Sequence, residues 1–302
     1  MTTPGNQDAG SADLSRLALG GAQFGLPYGI SNTNGAIGRT TARDVLTMAA
    51  KVGIRTIDTA MSYGNSEEVL GSAGAGSWTI CTKLPPVPPQ TESVSAWVKS
   101  SVQASLKRLR ADHLDTLFLH EPSDLLGSRG PELRDALEDC RSRGVAKRVG
   151  ASIYDPVELE KLLPLMTIDA IQAPFNLLDQ RLVTSGALQH LRDLGIAVHV
   201  RSIFLQGLLL MDRPEREHRF PEWKELWNIY DDQLKRTGAS PLKTCLCFGL
   251  SVPGIEHVVV GVSSCGDLAE IITAASSTTP LEYPDCQTDD MMLIDPRQWG
   301  SR

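Results

Sequence analysis

The stretch "GIRTIDTAMSYGNSEEVLG", residues 53–71, contains one complete strand-to-helix unit, and the rest of the chain is read outward from it. An apolar run ends on Asp58, a short loop presents Tyr63 five residues later, and Ser66 and Glu67 start the helix behind it. The chain has only 5 tyrosines, so an acid this close to a phenol calls for a reason. One explanation is a buried structural hydrogen bond. The other is an active site.

Similar units recur on both sides. Besides 55–60, β-rich runs occupy 16–22, 78–84, 114–120, 146–152, 170–175, 197–202 and 256–262. Amphipathic helical patterns lie between them, at 41–53, 93–110 and 182–195 among others. In the last of these Leu182, Leu188, Leu191 and Leu194 return at helical spacing, and Gly195 supplies the stop. Alternating strands and helices imply a parallel sheet, because each parallel pair needs a crossover. Eight such units favour a single-domain α/β fold, the closed (β/α)8 TIM barrel, over a doubly wound open sheet. The first strand turn, "LGGAQFG", is not followed directly by a helix, and no GxGxxG dinucleotide fingerprint occurs. Polar residues also cap many different strands, and barrels draw their catalytic groups from several strand ends. The expected layout is a disordered, small and polar leader over 1–14, the barrel over 15–280, and a tail over 281–302 packed on it.

The chain has 302 residues, a length that suits such a barrel. Its net charge of −7, with no basic stripe to offset it, argues against a nucleic-acid or membrane-surface role. No apolar run approaches a transmembrane span, and the N-terminus lacks an apolar signal core, so a cytoplasmic enzyme is expected. Cys81, Cys140, Cys245, Cys247, Cys265 and Cys286 form no CxxC pair and no zinc spacing, which points to reduced thiols. His113, His190, His199, His218 and His257 match no motif and read as surface or packing residues.

Three consecutive strands end in ionisable groups: Asp58, Lys83 and His120, with Tyr63 just beyond the second strand. Each follows an apolar run, so all emerge at one rim of the barrel. A free tyrosine titrates near ~10 and is a poor proton donor at neutral pH. A nearby ammonium stabilises the phenolate and lowers that value, while a carboxylate keeps the lysine charged and oriented. The set reads as a tuned general acid, with His120 positioning a substrate carbonyl. A metal held by Asp58 and His120, as in barrel hydrolases and isomerases, leaves Tyr63 and Lys83 unexplained.

The opening stretch resembles the signature of the aldo-keto reductases. Its pattern DTAxxYGxSExxLG is matched by Asp58, Thr59, Ala60, Tyr63, Gly64, Ser66, Glu67, Leu70 and Gly71. The resemblance continues through "SLKRLRADHLDTLFLHEP", "RVGASIYD", "IQAPFNLLDQR", "VRSIFLQGLL" and "VVVGVSSCGDLAEI". It implies a catalytic tetrad of Asp58, Tyr63, Lys83 and His120, and a nicotinamide cofactor lying extended across the barrel rim. Ser152 and Gln172 match residues that hold the carboxamide, although the family's frequent Ser-Asn pair is here Ser152-Ile153. Asn176 also sits at the rim. Arg201 falls where a residue packs on the nicotinamide ring, a place an arginine plane can fill. Ser202, Leu205, Gln206 and Gly207 match the pyrophosphate side, and Gly261, Ser263, Ser264, Asp267 and Glu270 the adenosine-phosphate site, where helix N–H groups suit an anion. The resemblance implies NADP(H). Asp267 departs from it, because an acid repels a 2′-phosphate and can accept from a ribose hydroxyl instead, so NAD(H) use is expected.

The long segment between the seventh and eighth strands carries Trp223, Trp227 and Tyr230. These either stack on a sugar substrate or anchor the insertion to the barrel wall. The expected activity is interconversion of a carbonyl (aldehyde, ketone or aldose) and an alcohol by a monomer or small homo-oligomer. "GGAQFGLPYGISN" is similar to bacterial members associated with carbohydrate metabolism. A cofactor-binding regulatory or sensor subunit on the same fold is the alternative.

Overall fold

The computed structural model describes residues 13–30, 32, 35–276 and 281–300. Each of the eight apolar runs contains one strand: β1 (Leu17–Gly20), β2 (Thr56–Asp58), β3 (Thr79–Leu84), β4 (Leu114–Leu119), β5 (Ala146–Ser152), β6 (Ala170–Pro174), β7 (Ala197–Arg201) and β8 (His257–Gly261). Neighbours pair in parallel and β8 returns to β1, so the sheet closes into the expected TIM barrel. The helices are α1 (Arg39–Lys51), α2 (Ser66–Ala73), α3 (Val94–Leu109), α4 (Gly130–Ser142), α5 (Glu158–Leu162), α6 (Arg181–Thr184), α7 (Ala187–Asp193), α8 (Arg213–Arg219), α9 (Lys224–Thr237), α10 (Pro241–Ser251), α11 (Cys265–Ala275) and α12 (Met291–Ile294). The strands are buried on both faces, which is why they read as near-continuous apolar runs. The single helix read over 182–195 is two, broken at Gly186, whose φ of 80° no helix contains. Of the leader expected over 1–14, residues 1–12 lie outside the described residues. Asp13 caps a short turn at Leu14–Arg16 by accepting from the Ser15 N–H.

Most of the opening motif fastens α2 to the barrel. The buried Glu67 accepts from Thr82 Oγ1 at 2.8 Å, Ser105 Oγ at 2.6 Å and Arg108 Nε at 2.8 Å, tying α2 to β3 and α3. Ser66 Oγ donates to the Gly21 carbonyl at 2.6 Å. Gly71 lets α2 meet α3 closely: a Cβ there would lie 2.1 Å from the Arg108 carbonyl oxygen.

The insertion and the tail form a second apolar cluster against the barrel. Leu205, Leu208, Leu209, Phe220, Trp227, Tyr230, Cys286, Leu293 and Trp299 are all buried in it. At the opposite, N-terminal mouth, Arg148 bridges Asp115 at 2.6 Å and Glu256 at 2.8 Å, and Glu256 in turn meets His199 at 3.2 Å. Among the described residues no helix is long and apolar enough to cross a membrane.

Replacing Glu67 by Ala strands the Arg108 cation and two buried hydroxyls. Urea unfolding of Glu67→Ala should show a loss of about 1–3 kcal/mol, the cost of leaving buried hydroxyls without their acceptor; a change below about 0.5 kcal/mol, the size of an ordinary surface substitution, would contradict this account of the motif.

Candidate active site

Strand register sets the site. Asp58 pairs with Cys81, and Lys83, two residues on, shares the same face of β3, so both side chains enter the barrel lumen. Lys83 Nζ donates to Asp58 Oδ2 at 2.6 Å and to the Thr59 carbonyl at 3.0 Å. Gln172 reaches from β6 across the lumen and donates to Asp58 Oδ1 at 2.7 Å. Both carboxylate oxygens are thus committed to N–H donors, and the ammonium beside them repels a metal ion. The metal-centre reading of Asp58 and His120 has no support in this geometry.

Tyr63 is held over the rim by backbone packing. The turn closes through Tyr63 N–H to Ala60 O at 3.1 Å and Ser66 N–H to Tyr63 O at 3.0 Å. Gly25 presses against it so closely that a Cβ would lie 1.9 Å from the Tyr63 oxygen. The Lys83 ammonium sits 5.4 Å from the Tyr63 ring centroid, and the His120 ring meets Tyr63 edge-on at 5.7 Å and 81°. His120 follows β4, where its N–H donates to Leu84 O at 2.9 Å, and its Nδ1 lies 3.0 Å from Ser62 Oγ. The structure therefore brings Asp58, Tyr63, Lys83 and His120 together.

The electrostatics follow from burial. Desolvation pulls the Lys83 ammonium down, but the charge of Asp58, helped by Tyr63 and the hydrogen bond to Asp58, outweighs it and the net direction is up. Lys83 stays charged. His120 is pushed down to about 4, first by burial and then by the positive charges of Lys83 and Arg201, so its imidazole is neutral at ordinary pH.

A cavity of about 1170 Å³ opens at this rim. Asp58 and Tyr63 line one end; Arg201, Ser202, Gln206, Gly207, Gly261, Ser263, Asp267 and Glu270 line the rest. Ser202, Leu205 and Gln206 have φ of 61°, 47° and 54°, a left-handed conformation costly for residues with a Cβ. Asn176 holds this segment by donating to the Ser202 carbonyl at 3.1 Å. Two of these strained residues, Ser202 and Gln206, line the cavity, and strain of this kind clusters at ligand clamps and switch segments.

Other expected residues sit elsewhere. Ser152 and Gln172 are buried beneath the rim, with Ser152 Oγ 3.4 Å from Gln172 Oε1, and neither lines the cavity. Leu205 points into the second apolar cluster. Ser264 caps α11 by accepting from the Asp267 N–H at 3.1 Å. Trp227 and Tyr230 are fully buried and donate to the Phe220 and Leu209 carbonyls at 2.8 and 2.7 Å, so they anchor the insertion and cannot stack on a sugar. Trp223 donates to Asp290 at 2.9 Å, outside the cavity lining. Conversely, sequence reading passed over Gln23, Tyr28 and the start of α10, Ser240–Lys243, all of which line the cavity. The only signal for the last was Ser240-Pro241, a helix-opening pair.

With this geometry in hand, comparison with known proteins is direct. The sequence profile of the aldo/keto reductase family matches residues 16–286. The chain is 30% identical over 224 residues to an NADH-specific methylglyoxal reductase of Escherichia coli (strain K12), a match spanning 65% of each protein. It is 28% identical to a D-threo-aldose 1-dehydrogenase of Pseudomonas sp., covering 89% of this chain and 94% of that one. Among solved structures, the holo form of an aldo-keto reductase from Bacillus halodurans has the same fold, with a TM-score of 0.72 at 21% identity over 91% of this chain and 94% of that one.

Neutral His120 has a consequence for acid stability. Between its unfolded value of 6.5 and its folded value of about 4, the unfolded chain binds a proton that the folded chain does not. Stability is therefore unaffected by this group above that window and falls as the pH drops through it. NMR titration of the His120 ring should give a midpoint near 4; a midpoint at the ordinary histidine value would contradict the burial argument.

Proposed function

The chain belongs to the aldo/keto reductase family, and on that premise we propose that it interconverts a carbonyl and an alcohol with a nicotinamide cofactor, using Tyr63 as proton donor and acceptor. The observation that carries this reading is the Tyr63 phenol at the cavity mouth, between the buried Lys83 ammonium and the neutral His120 ring.

The cavity fits an extended dinucleotide. The N-terminus of α10 opens onto it at Ser240–Lys243, and Lys243 adds a cation, a combination that suits phosphates, while the start of α11 faces it with Ser263 and Asp267. When bound, the nicotinamide supplies the hydride for the carbonyl carbon. Tyr63 gives its proton to the carbonyl oxygen, and the phenolate left behind is stabilised by the Lys83 charge, which Asp58 and Gln172 hold in place. Ser62 Oγ lies 3.0 Å from His120 Nδ1; in the tautomer whose Nδ1 accepts from that hydroxyl, the ring proton sits on Nε2 and hydrogen-bonds the substrate oxygen. In the direction of alcohol oxidation the same groups act in reverse.

Asp267 makes NADH the preferred cofactor in this reading. Its carboxylate accepts from the Ser263 N–H at 2.7 Å and from Ser264 Oγ at 2.8 Å, so an anion already occupies the start of α11. A 2′-phosphate entering there meets that charge. The substrate is a small carbonyl compound, and the aldose and methylglyoxal enzymes among its relatives support a sugar or sugar-derived aldehyde.

Tyr63→Phe should lose about 10²- to 10⁴-fold in turnover, the worth of a positioned general acid, with cofactor affinity by fluorescence unchanged. Undiminished turnover would remove Tyr63 from the mechanism. Steady-state kinetics should also give a higher kcat/KM with NADH than with NADPH, and Asp267→Asn, which keeps the cap but not the charge, should narrow the gap. A strong NADPH preference in the unaltered protein would refute the role given to Asp267.

A further inference from the structure

Arg201 ends β7 and lines the same cavity as Asp58 and Tyr63. One face of its guanidinium lies on the Tyr154 ring, 4.3 Å from the centroid. Nη2 donates to the Ile153 carbonyl at 3.1 Å, and Nη1 is 3.5 Å from Ser202 Oγ. Among the described residues it forms no ion pair, because the carboxylates nearby are held by other cations. Asp58 is held by Lys83 at 2.6 Å, Asp155 and Asp179 by Arg181 at 2.8 and 2.9 Å, and Asp295 by Arg297 at 2.6 Å. The other acids lining the cavity, Asp267 and Glu270, belong to α11. The Arg201 charge nevertheless reaches the tetrad, pushing both His120 and Lys83 toward their neutral forms.

A cation facing a cavity without a counter-ion is tolerable while water fills the space. It becomes costly once a ligand expels that water, unless the ligand carries an anion. We propose that Arg201, which the family resemblance sets at the nicotinamide end of the cofactor and away from the phosphates given to the start of α10, turns its N–H edge to an anionic group of the substrate, so that the enzyme acts on a carbonyl compound bearing a carboxylate or phosphate. This rests on the carbonyl-reductase reading above and narrows it. With one face of its plane on Tyr154, Arg201 offers N–H donors in the fork that matches a planar carboxylate or a phosphate. Tyr154 also receives Arg297 at 3.5 Å from the centroid, so the tail helps to fix the ring against which Arg201 is set. Arg201 and Tyr63 line the same cavity, so a substrate anchored at one can present its carbonyl to the other.

The test uses pairs of carbonyl compounds that differ mainly in charge: succinic semialdehyde with butanal, glucuronate with glucose, and glyceraldehyde 3-phosphate with glyceraldehyde. The expected result is a charged-to-neutral ratio of kcat/KM of roughly 10 to 100 in at least one pair, the worth of a charge-assisted hydrogen bond, carried mainly by KM. The first two pairs report a carboxylate and the third a phosphate. Arg201→Met should bring the ratio close to one and Arg201→Lys should restore part of it. A ratio near one in the unaltered protein, or a ratio that survives Arg201→Met, overturns the proposal. If no compound is turned over, the reductase reading fails separately, and calorimetry with succinate and inorganic phosphate then decides on Arg201. Binding of either that is lost in Arg201→Met supports the site; absence of binding, or equal binding by the variant, overturns it.

Discussion

The ion pair between Lys83 and Asp58 is the constraint around which the barrel rim is organised. Lys83 is 1% exposed, and an ammonium so buried is tolerable only against a carboxylate that is itself satisfied. That condition recruits Gln172 from the far side of the lumen and the Thr59 carbonyl from the strand end. It therefore couples β2, β3 and β6 at one level of the barrel. A buried ion pair is a poor way to stabilise a fold, since apolar residues of the same volume often do as well or better. Its place at the base of a cavity, beneath a phenol, fits the proposed chemistry, in which it fixes a positive charge where the Tyr63 phenolate would form.

Around that centre the packing is arranged to leave little freedom. Gly25 and Gly64 let the loop after β2 press on the loop after β1, with a Cβ at Gly64 only 2.5 Å from the Gly25 oxygen, so the Tyr63 backbone has one place to go. Glu67 and Gly71 dock the following helix, which keeps that loop short and taut. On the other side of the cavity, strained residues after β7 are held by Asn176 and by the apolar cluster beneath Leu205 and Leu208. The tryptophan and tyrosine of the insertion belong to that support. They stiffen the wall from behind and do not touch its contents.

Much of this was legible in the sequence, for physical reasons that can be named. Strands buried on both faces are written as apolar runs, and a polar group at the end of such a run has to emerge at the rim, which made Asp58, Lys83 and His120 readable together. The motif around Tyr63 is dense in residues that only one local geometry accommodates. What was not legible depends on contacts between distant segments. Whether Trp227 and Tyr230 face a ligand or a core is decided by tail residues such as Leu293 and Trp299, more than sixty positions away. Ser240–Lys243 lines the cavity because α10 happens to start beside it, and Arg201 lies on Tyr154 because β5 and β7 end at the same rim. No local spacing encodes either fact. The break in the helix at Gly186 could be suspected from the glycine alone, yet the leucine periodicity across it pointed the other way.

The central proposal is that a carbonyl bound at this rim takes a hydride from the cofactor at its carbon while Tyr63 protonates its oxygen. Its most direct test is transfer of label: incubation with cofactor deuterated at the reactive carbon of the nicotinamide, followed by mass spectrometry of the product alcohol. The account predicts one deuterium on the former carbonyl carbon. A product carrying no deuterium, or no product from any carbonyl despite bound cofactor, would contradict it.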